Sequence, residues 1–326
     1  MAEWLKAPAW KACILLKVSR VRIPFSPPIY KQMLKFGRKI KKIKFKILNY
    51  LKINFIYIYL SSIFLAGIYK FILIKFRKKT NHKYSNNFDE INYHEFRKYS
   101  QNNEDGIIDY VFSKIKSYKI NFIEIGFDYY ENNSLNLFGN INKILLIEAS
   151  KDKCFVLNII LSIFYPLTKK KISNTFVTKN NINKLINNFY SENIEIDCIS
   201  IDVDGNDYFL MEALNFKPKL IIIEYNFWLG KEESITIPYQ EDYSWDGNIY
   251  YGASLLALNN LANKKNYSLI AIDSSYTNAF FIRNDLSHNF STLDPIKSFK
   301  IPTKYSNTDL LLAKEYLEKK SFINIK

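Results

Sequence analysis

The stretch Ile199-Ser-Ile-Asp-Val-Asp-Gly-Asn-Asp-Tyr208 decides the fold. It completes a largely apolar, β-branched run over 194–203 that stops at Asp204-Gly205-Asn206-Asp207. This pattern predicts a buried strand that ends in a carboxylate-rich turn. In open α/β sheets, ligands bind just beyond the carboxyl ends of the strands. Because Asp, Gly and Asn are also common turn residues, the stretch is either a binding site or a solvated turn.

Apolar runs and helical spacings alternate on both sides of this stretch, which predicts βαβ units and a parallel sheet. After the fifth strand the alternation gives way to a long loop, and two closely linked strands then follow. The short link over 273–278 cannot cross over the sheet, so these two strands must pair antiparallel. Predicted strands are 120–125, 144–147, 175–178, 196–203, 220–224, 268–272 and 279–283, and predicted helices include 107–115, 132–138, 154–164, 208–214, 255–265 and 309–320.

Composition and charge limit the classes of function. The chain has 326 residues, of which 48% are hydrophobic and 16% aromatic, so it can form a substantial core and global disorder is excluded. Its net charge is +15, but residues 1–83 hold 20 Lys and Arg against one acidic residue. The remainder is mildly acidic, with 26 basic and 30 acidic residues. A general nucleic-acid surface on the globular part is therefore a poor interpretation.

The basic N-terminal segment is separate from the predicted α/β domain over 84–326. Residues 1–28 resemble a translated serine transfer-RNA gene, so 1–32 is interpreted as a mis-called start before Met33, or as a disordered tail. Within 33–83, residues 53–74 contain no charge except Lys70. A membrane-spanning helix needs about 20 mostly apolar residues, so 53–74 is a possible membrane helix. The alternatives are an interfacial amphipathic helix and a helix that packs on the domain.

The expected compartment is the cytoplasm. Cys13, Cys154 and Cys198 form neither a metal spacing nor a disulfide framework, which fits a reducing compartment. No cleavable signal peptide is evident, since no small-residue cleavage site follows the apolar stretch. If 53–74 is a membrane helix, we expect the domain to be anchored to the cytoplasmic face of the inner membrane.

Six motifs occur in a fixed order over some 190 residues. They are Tyr99-Ser-Gln-Asn-Asn-Glu-Asp-Gly106, Phe122-Ile-Glu-Ile-Gly126 with Glu131-Asn-Asn-Ser134, Ser200-Ile-Asp-Val-Asp-Gly-Asn-Asp-Tyr208, Ile223-Glu-Tyr-Asn226, Tyr250-Tyr-Gly-Ala-Ser-Leu255 and Asn278-Ala-Phe-Phe-Ile-Arg283. With these motifs, residues 97–286 resemble a less studied branch of the FkbM-type S-adenosylmethionine-dependent methyltransferases. The resemblance implies the Rossmann-like class I methyltransferase fold, a mostly parallel seven-stranded sheet with an antiparallel pair at its C-terminal end.

The resemblance also implies S-adenosylmethionine as cofactor. It places Glu124 and Gly126 beside the methionine part of the cofactor, where glycine lets the backbone come close. Glu148, which follows the second strand, would accept hydrogen bonds from both ribose hydroxyls. Asn181, or Asn180 beside it, would contact the adenine edge. The usual glycine-rich fingerprint is incomplete, because the bulky residues 127–130 follow Gly126.

Carboxylates are the candidate catalytic groups. In this fold Asp202 and Asp204 lie beside the sulfonium, whose positive charge they would stabilise. Asp202, Asp204 or Asp207 would also remove the proton of an acceptor hydroxyl. The three histidines, His82, His94 and His288, lie in no strand-end motif.

The acceptor is expected near Glu224, Asn226, Tyr250 and Tyr251, under the long loop 226–249. Loops of this length in compact domains are usually functional. The family resemblance alone suggests O-methylation of a polar acceptor, a sugar hydroxyl of a glycan or glycoconjugate.

Two other interpretations remain open. Asp202-Val-Asp204 also resembles the Asp-x-Asp motif of nucleotide-sugar glycosyltransferases, which hold Mn²⁺ or Mg²⁺ with oxygen ligands. The antiparallel strand pair favours the methyltransferase interpretation, under which no metal ligand is assigned. The third interpretation is a non-catalytic, membrane-tethered domain whose altered loop 127–130 no longer binds cofactor.

Overall fold

The computed structural model describes residues 65, 69, 71–73, 80–81, 90–128, 131–191 and 193–326. The chain divides into two units, Met1–Ser62 and Ile63–Lys326, and the described residues belong to the second. The interpretations of 1–32 and of most of 53–74 therefore concern residues outside the described ones. Among the residues that are described, no helix is both long enough and apolar enough to cross a bilayer.

A seven-stranded sheet forms the centre of the second unit. Its strands are β1 Ile120–Ile125, β2 Ile141–Glu148, β3 Lys169–Asn174, β4 Cys198–Ile201, β5 Leu220–Glu224, β6 Tyr267–Ile272 and β7 Asn278–Arg283. The spatial order is β3-β2-β1-β4-β5-β7-β6. Strands β1 to β5 pair in parallel, whereas β7 pairs antiparallel with both β5 and β6. The predicted fold class, a Rossmann-like methyltransferase sheet with an antiparallel pair, is confirmed.

Helices flank this sheet in the described part of the chain. They are α1 Glu104–Lys114, α2 Lys151–Phe164, α3 Ile182–Asn187, α4 Asp207–Ala213, α5 Leu255–Lys264, α6 Pro295–Ser298 and α7 Asn307–Leu317. Short 3-10 turns lie at Glu90–His94, Leu135–Leu137, Phe227–Leu229 and Asn284–Asn289. Two-residue strands pair Thr80–Asn81 with Phe96–Arg97, and Ile235–Thr236 with Ile323–Asn324.

Apolar layers cover both faces of the sheet. The central strands carry nearly continuous apolar runs, such as the buried Leu220-Ile-Ile-Ile223 of β5. Alternate residues point to opposite faces, so Ile221 and Ile223 enter one core cluster and Leu220 and Ile222 enter the other. Continuous apolar strands of this kind are typical of a parallel sheet that is buried on both sides.

Two predicted elements are wrong. The third strand lies at Lys169–Asn174 instead of 175–178, because this edge strand is lysine-rich and only partly buried and so lacks an apolar signal. The predicted helix over 132–138 is only the turn Leu135–Leu137. Its expected first turn is instead an irregular loop, in which the Asn132 side chain accepts a hydrogen bond from the Leu135 N–H at 3.0 Å.

Helical residues at the end of the apolar segment pack on the domain. Phe71 is fully buried, and its ring centroid lies 5.0 Å from that of Phe164 and 6.3 Å from that of Tyr99. Leu65 and Leu73 are exposed. Phe71 therefore belongs to the core of the domain, and the interpretations of the rest of 53–74 stay predictions.

Candidate active site

The candidate site lies where the strand order reverses, at the carboxyl ends of β1 and β4. The Asp202 N–H donates to the Ile125 carbonyl at 2.9 Å, which brings the two strand ends together. Gly126 adopts a positive φ of 74°, and a Cβ atom there would lie 1.6 Å from the Asp202 carbonyl oxygen. The glycine is thus required by the close approach of the two strands. In open α/β sheets this switch point is where ligands bind.

The turn after β4 is shaped by Asp207. Its carboxylate accepts hydrogen bonds from the Val203 N–H at 2.9 Å and the Gly205 N–H at 2.8 Å. Burial raises the pKa of Asp207 to about 6, although these bonds oppose the shift. Asp204, at the tip of the turn, adopts a positive φ of 55°, a conformation that Asp tolerates better than most residues. Asp207 therefore fixes the turn that presents Asp204.

Asp202, Asp204 and Glu224 form the central carboxylate cluster. One oxygen of each residue lies within 4.8 Å of the others, and all three side chains are partly buried. Burial raises the pKa of Asp202 and Glu224 well above the usual range, and repulsion from neighbouring carboxylates adds to it. Burial also raises the pKa of Asp204, opposed by Lys153. The cluster is a negatively charged pocket suited to a cationic ligand.

Glu124 lies deeper, on β1, and is already bound by protein donors. It accepts hydrogen bonds from the Asn133 N–H at 2.6 Å and the Ser134 hydroxyl at 2.5 Å. Burial raises its pKa to about 7, against these hydrogen bonds. The Asn133 side chain in turn donates to Ser200 on β4 at 3.0 Å. Glu124 thus ties the loop 131–134 to the sheet.

Glu148 ends β2 next to the loop that follows β1. One carboxylate oxygen accepts from the Ser150 N–H at 2.7 Å and the other from the Phe127 N–H at 3.3 Å. Each oxygen of a carboxylate can accept two hydrogen bonds, so Glu148 retains capacity for a ligand with hydroxyl groups.

Asn181 is occupied by its own loop. Its side-chain oxygen accepts from the Thr178 N–H at 2.9 Å, and its amide donates to the Phe176 carbonyl at 2.9 Å. Neighbouring Asn180 donates to Glu241 of the long loop at 3.4 Å. These two residues order the segment between β3 and α3 and link it to the loop.

Asn226 anchors the long loop 226–249 to the sheet. This fully buried side chain donates to the carbonyls of Ile249 and Tyr251, both at 2.8 Å. Its oxygen accepts from the Trp228 N–H at 3.0 Å. Both loop ends therefore converge on one amide, which makes Asn226 a positioning residue for the segment over the site.

The two predicted tyrosines point to different surroundings. Burial raises the pKa of Tyr251, and the Glu224 carboxylate adds to the shift, so this hydroxyl lies in the field of the cluster. Tyr250 instead donates to the Ser321 carbonyl at 2.6 Å, and its ring meets that of Phe322 edge to face, with the centroids 5.3 Å apart. Of the pair, Tyr251 is the one associated with the carboxylates.

A buried polar network beside the site was not predicted. Asp273 accepts from the N–H groups of Thr277 and Asn278, both at 3.0 Å, and Asn278 donates to Glu104 at 2.9 Å. Burial raises the pKa of Asp273 to about 7, and Glu104 adds to it. The sequence signal was present, since Glu104 and Asn278 stand in two of the six motifs, but it indicated no role.

Comparisons with known proteins found low similarity to solved methyltransferase structures. No family model and no curated protein matches the chain. A magnesium protoporphyrin IX methyltransferase from Synechocystis PCC 6803, solved with S-adenosylmethionine, is 7% identical at a TM-score of 0.34 and covers 55% of this chain and 77% of that one. A putative O-methyltransferase from Klebsiella pneumoniae is 9% identical at 0.34, covering 74% and 95%.

A Podospora anserina methyltransferase solved with S-adenosylhomocysteine is 12% identical at a TM-score of 0.36, covering 53% of this chain and 75% of that one. All three similar structures are methyltransferases, but similarity this low carries no argument about function. We assign the fold from the strand order, and the narrower FkbM-type resemblance stays a prediction.

Proposed function

We propose that this chain is an S-adenosylmethionine-dependent O-methyltransferase. The observation that carries the proposal is the position of the carboxylate cluster, at the switch point of a sheet whose last strand inserts antiparallel between β5 and β6. A sulfonium is a cation, and partly buried carboxylates favour a positive charge beside them. The antiparallel insertion also favours this function over a nucleotide-sugar glycosyltransferase.

The residues present fit this cofactor in charge and in hydrogen-bonding capacity. Bound S-adenosylmethionine supplies an activated methyl group on a positively charged sulfur. In this proposal Asp202 stabilises the positive charge, and Glu148 accepts hydrogen bonds from the ribose hydroxyls. Bulky residues follow Gly126 in place of the usual glycine-rich loop. In this proposal the hydrogen bonds to Glu148 therefore contribute much of the interaction that orients the cofactor.

Methyl transfer to a hydroxyl also requires removal of a proton. The acceptor oxygen attacks the methyl carbon, the carbon–sulfur bond breaks with its electron pair going to sulfur, and the hydroxyl proton passes to a carboxylate. Asp204 is the candidate base, because it stands at the partly buried tip of the turn and burial raises its pKa. A general base works best when its pKa approaches the working pH.

The acceptor is proposed to be a sugar hydroxyl of a glycan or glycoconjugate. The family resemblance suggests this class, and aromatic side chains of the long loop are compatible with it. The Trp245 and Tyr251 ring centroids lie 5.7 Å apart, and Trp245 is partly exposed. We also propose a cytoplasmic location, where S-adenosylmethionine is made. Protease treatment of intact cells that removes the domain would contradict this location.

Incubation of the full chain with methyl-labelled S-adenosylmethionine and a panel of glycans and small polar acceptors tests the proposed activity. The expected result is label on an oxygen of at least one acceptor, strongly reduced in Asp202→Asn. The exposed Glu232→Gln in the long loop is the matched control and keeps full activity. Transfer at equal rates by the wild type and Asp202→Asn would place the site elsewhere.

A further inference from the structure

The carboxylate cluster has a geometry that a single cofactor charge does not explain. Asp202 follows β4, Asp204 stands on the turn after it, and Glu224 ends the adjacent β5. One oxygen atom from each converges within a span of 4.8 Å. Three side chains from two neighbouring strand ends therefore offer three oxygen atoms to one point.

These oxygens differ from those of the acidic residues around them. Asp207 and Glu124 both accept hydrogen bonds from protein groups. No hydrogen bond from the described residues reaches the side chains of the cluster, and Glu224 Oε2 is enclosed without any partner. Leaving a buried carboxylate oxygen without a partner is costly, and a bound cation would remove this cost.

The nearby Lys153 does not form an ion pair with the cluster. The Lys153 ammonium lies 3.9 Å from an Asp128 oxygen, and none of the ion pairs of the described residues includes Asp202, Asp204 or Glu224. A bound cation favours the ionised form of neighbouring carboxylates, which with an ion in place would together carry three negative charges. One sulfonium would neutralise one of them, which leaves enough negative charge to hold a divalent ion as well.

We propose that Asp202, Asp204 and Glu224 bind a divalent cation with a preference for oxygen ligands, Mg²⁺ or Mn²⁺. The set contains no His or Cys, so Zn²⁺ is a poorer match. Mg²⁺ holds oxygens at about 2.1 Å, so opposite ligands are about 4.2 Å apart. Adjacent ligands are about 3 Å apart, so the three oxygens, which lie within 4.8 Å of one another, would move closer together by side-chain rotation when an ion binds.

The cation deepens the proposed function, and this consequence rests on it. Three carboxylate oxygens leave three positions of an octahedral ion for water and for the acceptor hydroxyl. A metal ion lowers the pKa of a bound hydroxyl, as it does for bound water. Because Asp204 would then be a ligand of the ion and no longer the base, the proton would pass to water, and the acceptor oxygen would attack the methyl carbon as described above.

Mn²⁺ titration of the full chain, without S-adenosylmethionine, followed by the electron paramagnetic resonance of free Mn²⁺, tests the site directly. We expect one bound ion, displaced by excess Mg²⁺. Loss of a direct ligand should weaken binding at least about ten-fold, since even second-shell changes commonly have that effect. The test variants are Glu224→Gln, which keeps the side-chain shape, and Asp204→Asn, which tolerates the positive φ.

Glu232→Gln is the matched control and retains wild-type Mn²⁺ affinity, and circular dichroism checks that each variant is folded. Absence of Mn²⁺ binding by the wild type, or equal affinity in the folded Glu224→Gln and Asp204→Asn variants, would overturn the cation site. S-adenosylmethionine binding measured in chelator separates the two proposals. Cofactor binding without Mn²⁺ binding would contradict only the proposed cation site. Mn²⁺ binding without cofactor binding would contradict only the proposed methyltransferase function.

Discussion

Replacement of Gly126 by alanine tests the geometry that places the site. The new Cβ would lie 1.6 Å from the Asp202 carbonyl oxygen, a backbone atom that cannot rotate away. Holding alanine at a φ of 74° costs about 1–2 kcal/mol. Overpacking adds about 1–3 kcal/mol. We expect Gly126→Ala to lower the free energy of unfolding by about 2–5 kcal/mol in total.

Gly139→Ala is the matched control. A Cβ at Gly139 meets no atom within 4 Å, and its φ is not in the left-handed region. This substitution should be neutral, or should stabilise the fold by up to about 1 kcal/mol, because alanine lowers the conformational entropy of the unfolded chain. Urea denaturation followed by circular dichroism measures both variants under the same conditions.

The cofactor provides a second readout for the same substitution. The clash pushes apart the ends of β1 and β4, which carry Gly126 and Asp202, so Gly126→Ala should also weaken S-adenosylhomocysteine binding at temperatures where it remains folded. Equal stability of the two alanine variants would refute the close approach of the strands. Lower stability with unchanged cofactor affinity would refute the placement of the site at this junction.

Further predictions concern single polar residues. Glu148→Ala loses charge-assisted hydrogen bonds and should weaken cofactor binding about 10- to 100-fold by calorimetry, whereas Asp202→Asn should lower kcat more than cofactor affinity. Asn226→Ala frees both ends of the loop 226–249, so we expect about 1–3 kcal/mol less stability in urea and faster proteolysis within the loop. Burial raises the pKa of Glu124 from 4.5 to about 7, so the folded chain binds its proton more tightly than the unfolded chain. The protonated Glu124 side chain therefore stabilises the fold fully below about pH 4.5, and this contribution is lost as the pH rises to about 7. Glutamine has no proton to lose, so Glu124→Gln should flatten the fall in stability between about pH 5 and 7. A variant with the wild-type pH profile would contradict this.

The sheet was largely predictable because its central strands are buried on both faces. Apolar runs located β1 and β5 at the observed bounds, Ile120–Ile125 and Leu220–Glu224, and the short link before β7 required antiparallel pairing. The edge strand β3 was missed, since its Lys169-Lys-Lys171 start is exposed or only partly buried and gives no apolar signal. Edge position depends on the order of the whole sheet, which local sequence does not encode.

The site was predictable in location but less so in the role of each residue. The sequence indicated that acidic and amide side chains gather at the strand ends, and it named Asp202, Asp204 and Glu224. It could not distinguish these unpartnered carboxylates from Asp207 or Asn226, whose polar atoms are bound to backbone groups. That difference arises from hydrogen bonds across distant loops, which appear only in the folded chain.

Isothermal titration of the full chain with S-adenosylhomocysteine and S-adenosylmethionine tests the proposed function most directly. We predict micromolar binding of both by the wild type, and binding about 10- to 100-fold weaker in Glu148→Ala with the fold intact by circular dichroism. No binding by the folded wild-type chain would contradict the methyltransferase proposal, and binding unchanged in Glu148→Ala would contradict the place assigned to the ribose.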